Sequence, residues 1–411
     1  MFSIHYVADL HIHSHYSMAT SKECNPEQLY RWAAIKGIGL MGTGDFTHPA
    51  WREELRTKLI PAEDGLFCLK KELIPADTSD YTKEPLRFVL SGEISTIYKK
   101  NGRTRKVHHL ILLPGFAEAD AISRRLEEIG NIRSDGRPIL GLDSQRLLEI
   151  VLDESPEAIF IPAHIWTPHF SVFGAFSGFE SIEECYGDLS PMIFALETGL
   201  SSDPEMNWRL SNFDRFTLLS NSDAHSPLNL AREANLFDGE LSYQGLRHSL
   251  NRSDQGFAGT IEFFPEEGKY HLDGHRNCGV RLTPEETRKN NGRCPVCGRP
   301  VTIGVLNRIE RLADREAGFR PISAKPFERL IPLLTILGEL MGRGKKAARA
   351  YEELTKEFGS ELRVLRETPI ADLRMKMGEQ VGEAILRVRQ GDVHIIPGFD
   401  GEYGKVSVFG R

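Results

Sequence analysis

His11 and His13 stand two residues apart in Asp9-Leu10-His11-Ile12-His13. On an extended strand, side chains at i and i+2 face the same way, so both imidazoles can reach one metal ion. Asp9 shares their parity and can act as a ligand or as an outer partner. Two hundred residues on, Ser222-Asp223-Ala224-His225 offers a carboxylate and an imidazole at the same spacing. Glu93, in Gly92-Glu93, and His164, in Ala163-His164, add donors of the same kind. Mixed imidazole and carboxylate ligands suit zinc, manganese or iron, and clustered ligands can hold two or three ions. Clustered divalent ions acidify a water and neutralise the charge that develops on a phosphoryl group, so the chemistry implied is metal-assisted phosphoester hydrolysis. The chain has no Gly-x-Ser-x-Gly element that would supply a separate nucleophile.

These residues track the ends of apolar runs. Runs at 4–10, 38–43, 86–90, 107–113, 158–162, 192–196 and 216–219 read as strands, with helix-like segments between several of them. Asn25 followed by Pro26 predicts a helix over 26–36, and Asp143 can cap another over 144–152. Strands alternating with helices imply a parallel sheet, and this many repeats imply closure into a barrel. Asp9, His11, His13, Asp45, Glu93, His164, Glu197 and Asp223 each lie at or just beyond the C-terminal end of a run, the face on which such barrels build active sites. His108 and His109 fit less well, because they precede most of their run.

Residues 264–300 change character. His275-x2-Cys278 and Cys294-x2-Cys297 are fifteen residues apart, and two half-sites of two ligands each make a closed tetrahedral zinc site of structural type. His271 is the alternative to His275. Beyond residue 301 the pattern predicts helices at 307–315, 327–340, 345–358 and 371–389, then a Gly-rich tail from Val393. The expected division is a barrel over 1–263, a zinc ribbon over 264–303 and a helical domain over 304–411.

The net charge of -7 argues at first against a nucleic-acid partner, but it is unevenly spread. From residue 271 onward 25 basic residues face 19 acidic ones, giving +6; residues 1–270 carry 26 against 39, giving -13. A basic back third suits a polyanion-gripping module. Within it, Gly342-Arg343-Gly344-Lys345-Lys346 places glycines before a basic helix start, where backbone amides and the lysines Lys345 and Lys346 can hold a phosphate. After His164, the stretch from Trp166 to Phe179 includes Phe173 and Phe176, aromatics that can stack on or wedge between bases at a barrel mouth. No run is long and apolar enough to span a membrane, and the first ten residues lack a signal-peptide layout, so a cytoplasmic, nucleoid-associated location is expected.

The motifs resemble the polymerase and histidinol phosphatase (PHP) family: Asp9-Leu10-His11-Ile12-His13-Ser14, Thr43-Gly44-Asp45-Phe46-Thr47-His48, Gly92-Glu93-Ile94, His109-Leu110-Ile111-Leu112, His164, and Asp223 with His225. The resemblance covers about the first 230 residues and implies a distorted (β/α)7 barrel with a trinuclear centre. It assigns His11, His13, Glu93 and Asp223 to one metal as the catalytic core. Glu93 bridges to a second metal held with His109 and His164, His108 being the rival to His109. Asp45, His48 and His225 are left for a third. The order barrel, His/Cys ribbon, Gly304-Val305, and helical tail ending Ile396-Pro397-Gly398-Phe399-Asp400-Gly401 resembles the endonuclease Q family along nearly the whole chain. That resemblance implies a DNA-repair nuclease cutting 5′ to deaminated bases (uracil, hypoxanthine, xanthine) or abasic sites. It further implies zinc in the ribbon, zinc, manganese or magnesium in the centre, and a replication or repair partner. A small-molecule phosphatase and a non-catalytic nucleic-acid-binding module are the alternatives.

Overall fold

The computed structural model describes residues 4–81 and 86–410. Its organising element is the Ile4–Asp9 strand, flanked in parallel by Leu40–Gly42 and antiparallel by Ala234–Gly239. The Pro26–Lys36 helix that links the first two parallel strands starts and stops where its sequence dictates. The Asn25 side chain accepts from the Gln28 N–H, Pro26 opens the first turn, and Gly37 ends it in the left-handed conformation.

Seven strands close a ring. Ile4–Asp9, Leu40–Gly42 and Arg87–Lys100 run parallel in that order. Arg87–Lys100 pairs antiparallel with Arg103–Leu113, which pairs antiparallel with Ile159–Pro162. The Ile165 N–H donates to the Glu197 carbonyl at 3.0 Å, joining the end of that strand to Ala195–Glu197. Ala195–Glu197 pairs in parallel with Thr217–Leu219, and a parallel bridge from Ile12 to Ala224 returns to the start. Ala8, Leu10, Leu40, Val89, Leu110, Ile161, Ala195 and Leu219 fill the interior, all buried. The expected seven-stranded distorted barrel is therefore present, but it is mixed rather than parallel. The reason is the Asn101-Gly102 turn. Both residues have positive φ, 54° and 71°, as a tight primed hairpin turn requires, so the chain reverses directly without a crossover helix.

Beyond the Ile4–Asp9 strand the sheet extends outside the ring through Ala234–Gly239, Phe257–Glu262 and Phe327–Arg329 in turn. The last comes from the segment expected to be helical throughout. The predicted helix at 327–340 splits into this strand and the helix Leu333–Met341, because Phe327–Arg329 finds pairing partners in Thr260–Glu262 and Pro332 opens the helix. The predicted helix at 371–389 breaks at Gly378 (φ 88°) into Ile370–Met377 and Glu379–Gln390. Lys345–Phe358 forms as predicted. A buried ion pair between Lys36 and Glu361, at 2.5 Å, ties the helical segment to the barrel; Glu361 also accepts from the Leu333 N–H and the Tyr351 hydroxyl. No helix among the described residues is long and apolar enough to cross a membrane.

Candidate metal centre

The Ile4–Asp9 strand delivers His11 and His13 to the barrel mouth, both completely buried. Each ring is held by a hydrogen bond at Nδ1. The His11 Nδ1–H faces both Glu197 oxygens at 3.0 Å, and the His13 Nδ1–H donates to Asp45 Oδ1 at 3.0 Å. Both Nε2 atoms are thereby aimed inward. His13 Nε2 lies 3.0 Å from Asp223 Oδ1 and 3.4 Å from Glu93 Oε2. His11 Nε2 lies 3.8 Å from Asp223 Oδ1 and 3.7 Å from Glu93 Oε2. Donor atoms of His11, His13, Glu93 and Asp223 all stand within 4.8 Å of one another.

Glu93 also belongs to a second group. Its Oε1 lies 2.6 Å from His108 Nδ1 and 2.9 Å from His164 Nε2, and these three again satisfy ligand spacing. One carboxylate oxygen thus faces each cluster, the geometry of a bridging ligand. Strand register explains why His108, and not the expected His109, joins this group. Glu93 pairs with Leu110, an interior residue, so His108 shares its face; His109 pairs with Ile94 and faces outward. There the His109 ring packs against Phe160 and Tyr186, and neither of its nitrogens has a hydrogen-bond partner.

The electrostatics suit a cation. Burial would lower the pKa of His11 and His13, but Glu197 and Glu93 hold the first, and Asp223 and Asp45 the second, well above the ordinary value. Burial would raise Glu93 and Asp223; the facing histidines instead hold both carboxylates down. Burial brings His108 down to about 4, so its ring is neutral and can coordinate. His11 Nε2 in particular is placed for a cation: it is buried, has no hydrogen-bond partner, and points between two carboxylates. An unmatched nitrogen so placed is costly unless a cation meets it. Backbone strain marks the same spot. Asp45, His164 and Asp223 all hold positive φ, at 52°, 30° and 47°, which non-glycine residues adopt mainly where surrounding structure imposes it.

Other expected ligands lie outside these two groups. Asp45 lies outside both ligand groups: Oδ2 accepts from the Ser14 N–H and from the hydroxyls of Ser14 and Ser17, and Oδ1 holds His13. His48 caps the Pro49–Lys58 helix: Nδ1 accepts from the Trp51 N–H and Nε2–H donates to the Arg133 carbonyl. His225 lies beside the centre, its ring 4.4 Å from His13 and its Nδ1 2.9 Å from the Asp223 carbonyl, outside both ligand groups. Asp9 accepts from the backbone of Ser222 and Ala231 and so joins the two ends of the barrel sequence. Sequence reasoning missed Arg137, whose Nη1 donates to Glu93 Oε2 at 3.2 Å. No local spacing signals it; the 128–138 loop carries it in.

The ribbon assembles from His275, Cys278, Cys294 and Cys297, with His275 Nδ1 3.5 Å from Cys297 Sγ. His271 stays apart, buried with its Nδ1 unpartnered. Backbone N–H groups of Cys297 and Val296 outweigh the effect of burial and lower the Cys294 thiol to about 7, favouring the thiolate that zinc needs. Lys345 and Lys346 are exposed on the first turn of their helix, after Gly344 (φ 125°). The aromatic loop divides. Phe173 is fully buried against Trp166 and Phe213 and cannot meet a base, which corrects that expectation; Phe176 is 56% exposed.

Fold and site together define an α/β-barrel hydrolase with clustered metal ligands at the barrel mouth. The family model described as the MJ0043 C-terminal domain matches residues 332–392. The crystal structure of the lesion-specific endonuclease PfuEndoQ from Pyrococcus furiosus superposes at a TM-score of 0.85, with 31% identity, over 98% of this chain and 95% of that one. Endonuclease Q in complex with a 27-mer duplex carrying an abasic lesion at its active site superposes at 0.83, also at 31% identity, over 98% and 96%. The chain belongs to the endonuclease Q family. Among uncharacterized relatives, YqxK of Bacillus subtilis is 29% identical over 381 residues, 90% of this chain and 89% of that protein. MJ0043 of Methanocaldococcus jannaschii is 34% identical over 275 residues, 63% of this chain and 33% of that protein. The match to the archaeal protein therefore spans only a third of its length.

Proposed function

We propose that this protein is a DNA-repair endonuclease that hydrolyses the phosphodiester 5′ to a deaminated base (uracil, hypoxanthine or xanthine) or an abasic site. The observation that carries this reading is the whole-length likeness to an endonuclease Q bound to abasic DNA, in a chain that keeps a carboxylate facing two ligand groups at once. In this reading His11, His13, Glu93 and Asp223 hold one divalent ion, and Glu93, His108 and His164 a second. Zinc, manganese or magnesium bound there would acidify the attacking water and neutralise charge on the phosphoryl group.

The chain's own part is orientation. Glu197 and Asp45 fix the tautomers of His11 and His13, and Asn221 donates to Glu197 Oε1 at 2.8 Å to fix that carboxylate in turn. Damaged or missing bases cost less to unstack, so a nucleotide flipped toward the mouth brings its neighbouring phosphate to the centre. Residues 264–303, held by zinc, and the basic helical turn at Lys345 and Lys346 would grip the flanking duplex.

The test uses end-labelled duplexes with a single uracil, hypoxanthine, xanthine or abasic site, beside an undamaged control, with added manganese, magnesium or zinc. A nick immediately 5′ of the lesion is expected. Cleavage of no duplex by folded, metal-loaded protein, with phosphate released from monoesters, would replace this reading with a small-molecule phosphatase. Affinity for DNA without hydrolysis of any phosphoester would replace it with a binding module.

A further inference from the structure

On one side of the barrel mouth the surface continues from the metal centre as aromatic rings interleaved with cations, and beyond His108 none of them belongs to either ligand group. The strip begins at His108, whose ring centre lies 4.7 Å from that of Phe170. The Lys106 ammonium stands 5.3 Å from the centre of the Phe170 ring. One residue earlier, His169 stacks on Phe176 at 4.5 Å with the planes 7° apart. Lys106 and Lys269 both lie close enough to His169 for their charges to add to burial in lowering its pKa. Lys269 in turn stands 5.7 Å from the ring of Tyr403, which is 77% exposed.

Four separate stretches of chain build this surface. Lys106 comes from the Arg103–Leu113 strand, His169 to Phe176 from the loop after His164, Lys269 from the start of the 264–303 segment, and Tyr403 from the tail. A single exposed ring needs no explanation, but a continuous row of rings and ammonium groups leading away from a reaction centre does. Phosphate oxygens complement the lysines, and bases offer flat faces to the rings; a row of this composition matches the way proteins hold an unpaired strand. An apolar partner would leave the lysines desolvated and unpaired, and an acidic peptide has no flat faces for the rings.

We propose that this strip binds a single DNA strand as it leaves the metal centre, with Lys106 and Lys269 on phosphates and the Phe176–His169 stack and Tyr403 against bases. The proposal rests on the DNA reading above and names the surface that holds the strand beside the cut.

The experiment uses the full-length, metal-loaded protein and two variants, the double substitution Lys269→Ala with Tyr403→Ala and the single substitution Phe176→Ala. All three side chains are exposed. Affinity is measured for the nicked product duplex, which avoids turnover, across a series of salt concentrations. Hydrolysis of bis(p-nitrophenyl) phosphate, a diester too small to reach the strip, is measured alongside. Each variant is expected to bind DNA about tenfold more weakly. The double variant should lose about one unit of slope in log affinity against log salt, and all three proteins should hydrolyse the small diester equally. Wild-type affinity and salt slope in both variants would overturn the proposal. Should the wild type bind duplexes but nick none, with the variants still weaker, the nuclease reading falls and the strip stands. Lesion-specific nicking by a wild type whose variants bind equally well removes the strip alone.

Discussion

The His13 Nδ1–H and Asp45 Oδ1 meet at 3.0 Å, and that hydrogen bond decides which nitrogen of His13 faces the other ligands. Asp45 is itself locked by Ser14 and Ser17, so the ring can neither flip nor change tautomer without breaking several bonds. An asparagine at 45 can turn its amide nitrogen toward the ring and favour the wrong tautomer. Asp45→Asn is therefore expected to weaken metal binding about 10- to 100-fold while leaving the fold intact. Competition with a chelator, read by metal analysis of the desalted protein, measures this. Metal affinity equal to wild type would show that Asp45 has no hold on the site.

His108 and His109 separate ligand from core residue. His108→Ala is expected to cost about one equivalent of bound metal, because it removes one of three donors in the second group. His109→Leu is expected to keep the full metal content. It should also be more stable by about 1 kcal/mol, and so melt slightly higher, since the native ring buries two nitrogens without partners among Phe160 and Tyr186. Metal analysis and thermal melts of the two variants suffice; the opposite pattern of metal loss would mean that the hairpin register is wrong.

That register was available in the sequence, though spacing around His108 and His109 alone could not supply it. Asn101-Gly102 fixes a two-residue turn, which pairs Lys100 with Arg103 and so places Glu93 opposite Leu110 and beside His108. The strand-end positions of His11, His13, Glu93, His164 and Asp223 carried the rest of the centre, because a barrel gathers strand ends. The Cys-x2-Cys spacing likewise carried the ribbon. What failed were judgements that need three-dimensional neighbours. Whether Asp45 and His48 face a metal or their own loop depends on Ser14, Ser17 and Arg133, which no local pattern places there. Phe327–Arg329 became a strand because Thr260–Glu262 offered an edge, overriding its helical pattern.

Glu262 should give the protein's stability a specific pH dependence. Its carboxyl is fully buried on the Phe257–Glu262 strand, where burial and then the charge of Asp203 push it up to about 8, against the hydroxyls of Thr260, Ser220 and Thr198. Glu233, buried beside it, is raised as well, by burial and by Glu262. The ordinary value is 4.5, so between pH 4.5 and about 8 the folded chain keeps a proton that the unfolded chain releases. Stability contributed by this group thus falls as pH rises through that window, by at most about 1.4 kcal/mol per pH unit, and levels off above it. Glu262→Gln removes the effect while keeping a partner for the hydroxyls. The variant's advantage in melting temperature is expected to be smallest near pH 5 and largest near pH 9, and a gap independent of pH would contradict the assignment.

Arg137 reaches the carboxylate that the two ligand groups share. Its loop is fastened to the site: Asp135 Oδ1 accepts from the N–H groups of Met18 and Arg137, the Gly136 N–H donates to the Tyr16 carbonyl, and a side chain at Gly136 would strike Asp45. Nη1 meets Glu93 Oε2 at 3.2 Å, and the side chain remains 28% exposed toward the mouth. A guanidinium held there can donate to a phosphate oxygen approaching Glu93, in a poorly hydrated setting where such a bond strengthens as charge develops. Arg137→Ala is expected to lower kcat/KM on a cleavable duplex about 100-fold with metal content unchanged, and to weaken competitive inhibition by inorganic phosphate. Arg137→Lys keeps the charge but loses the planar fork, so it should fall between the two. Loss of metal in step with loss of rate would instead make Arg137 a support for Glu93, and the phosphate inhibition constant separates these outcomes.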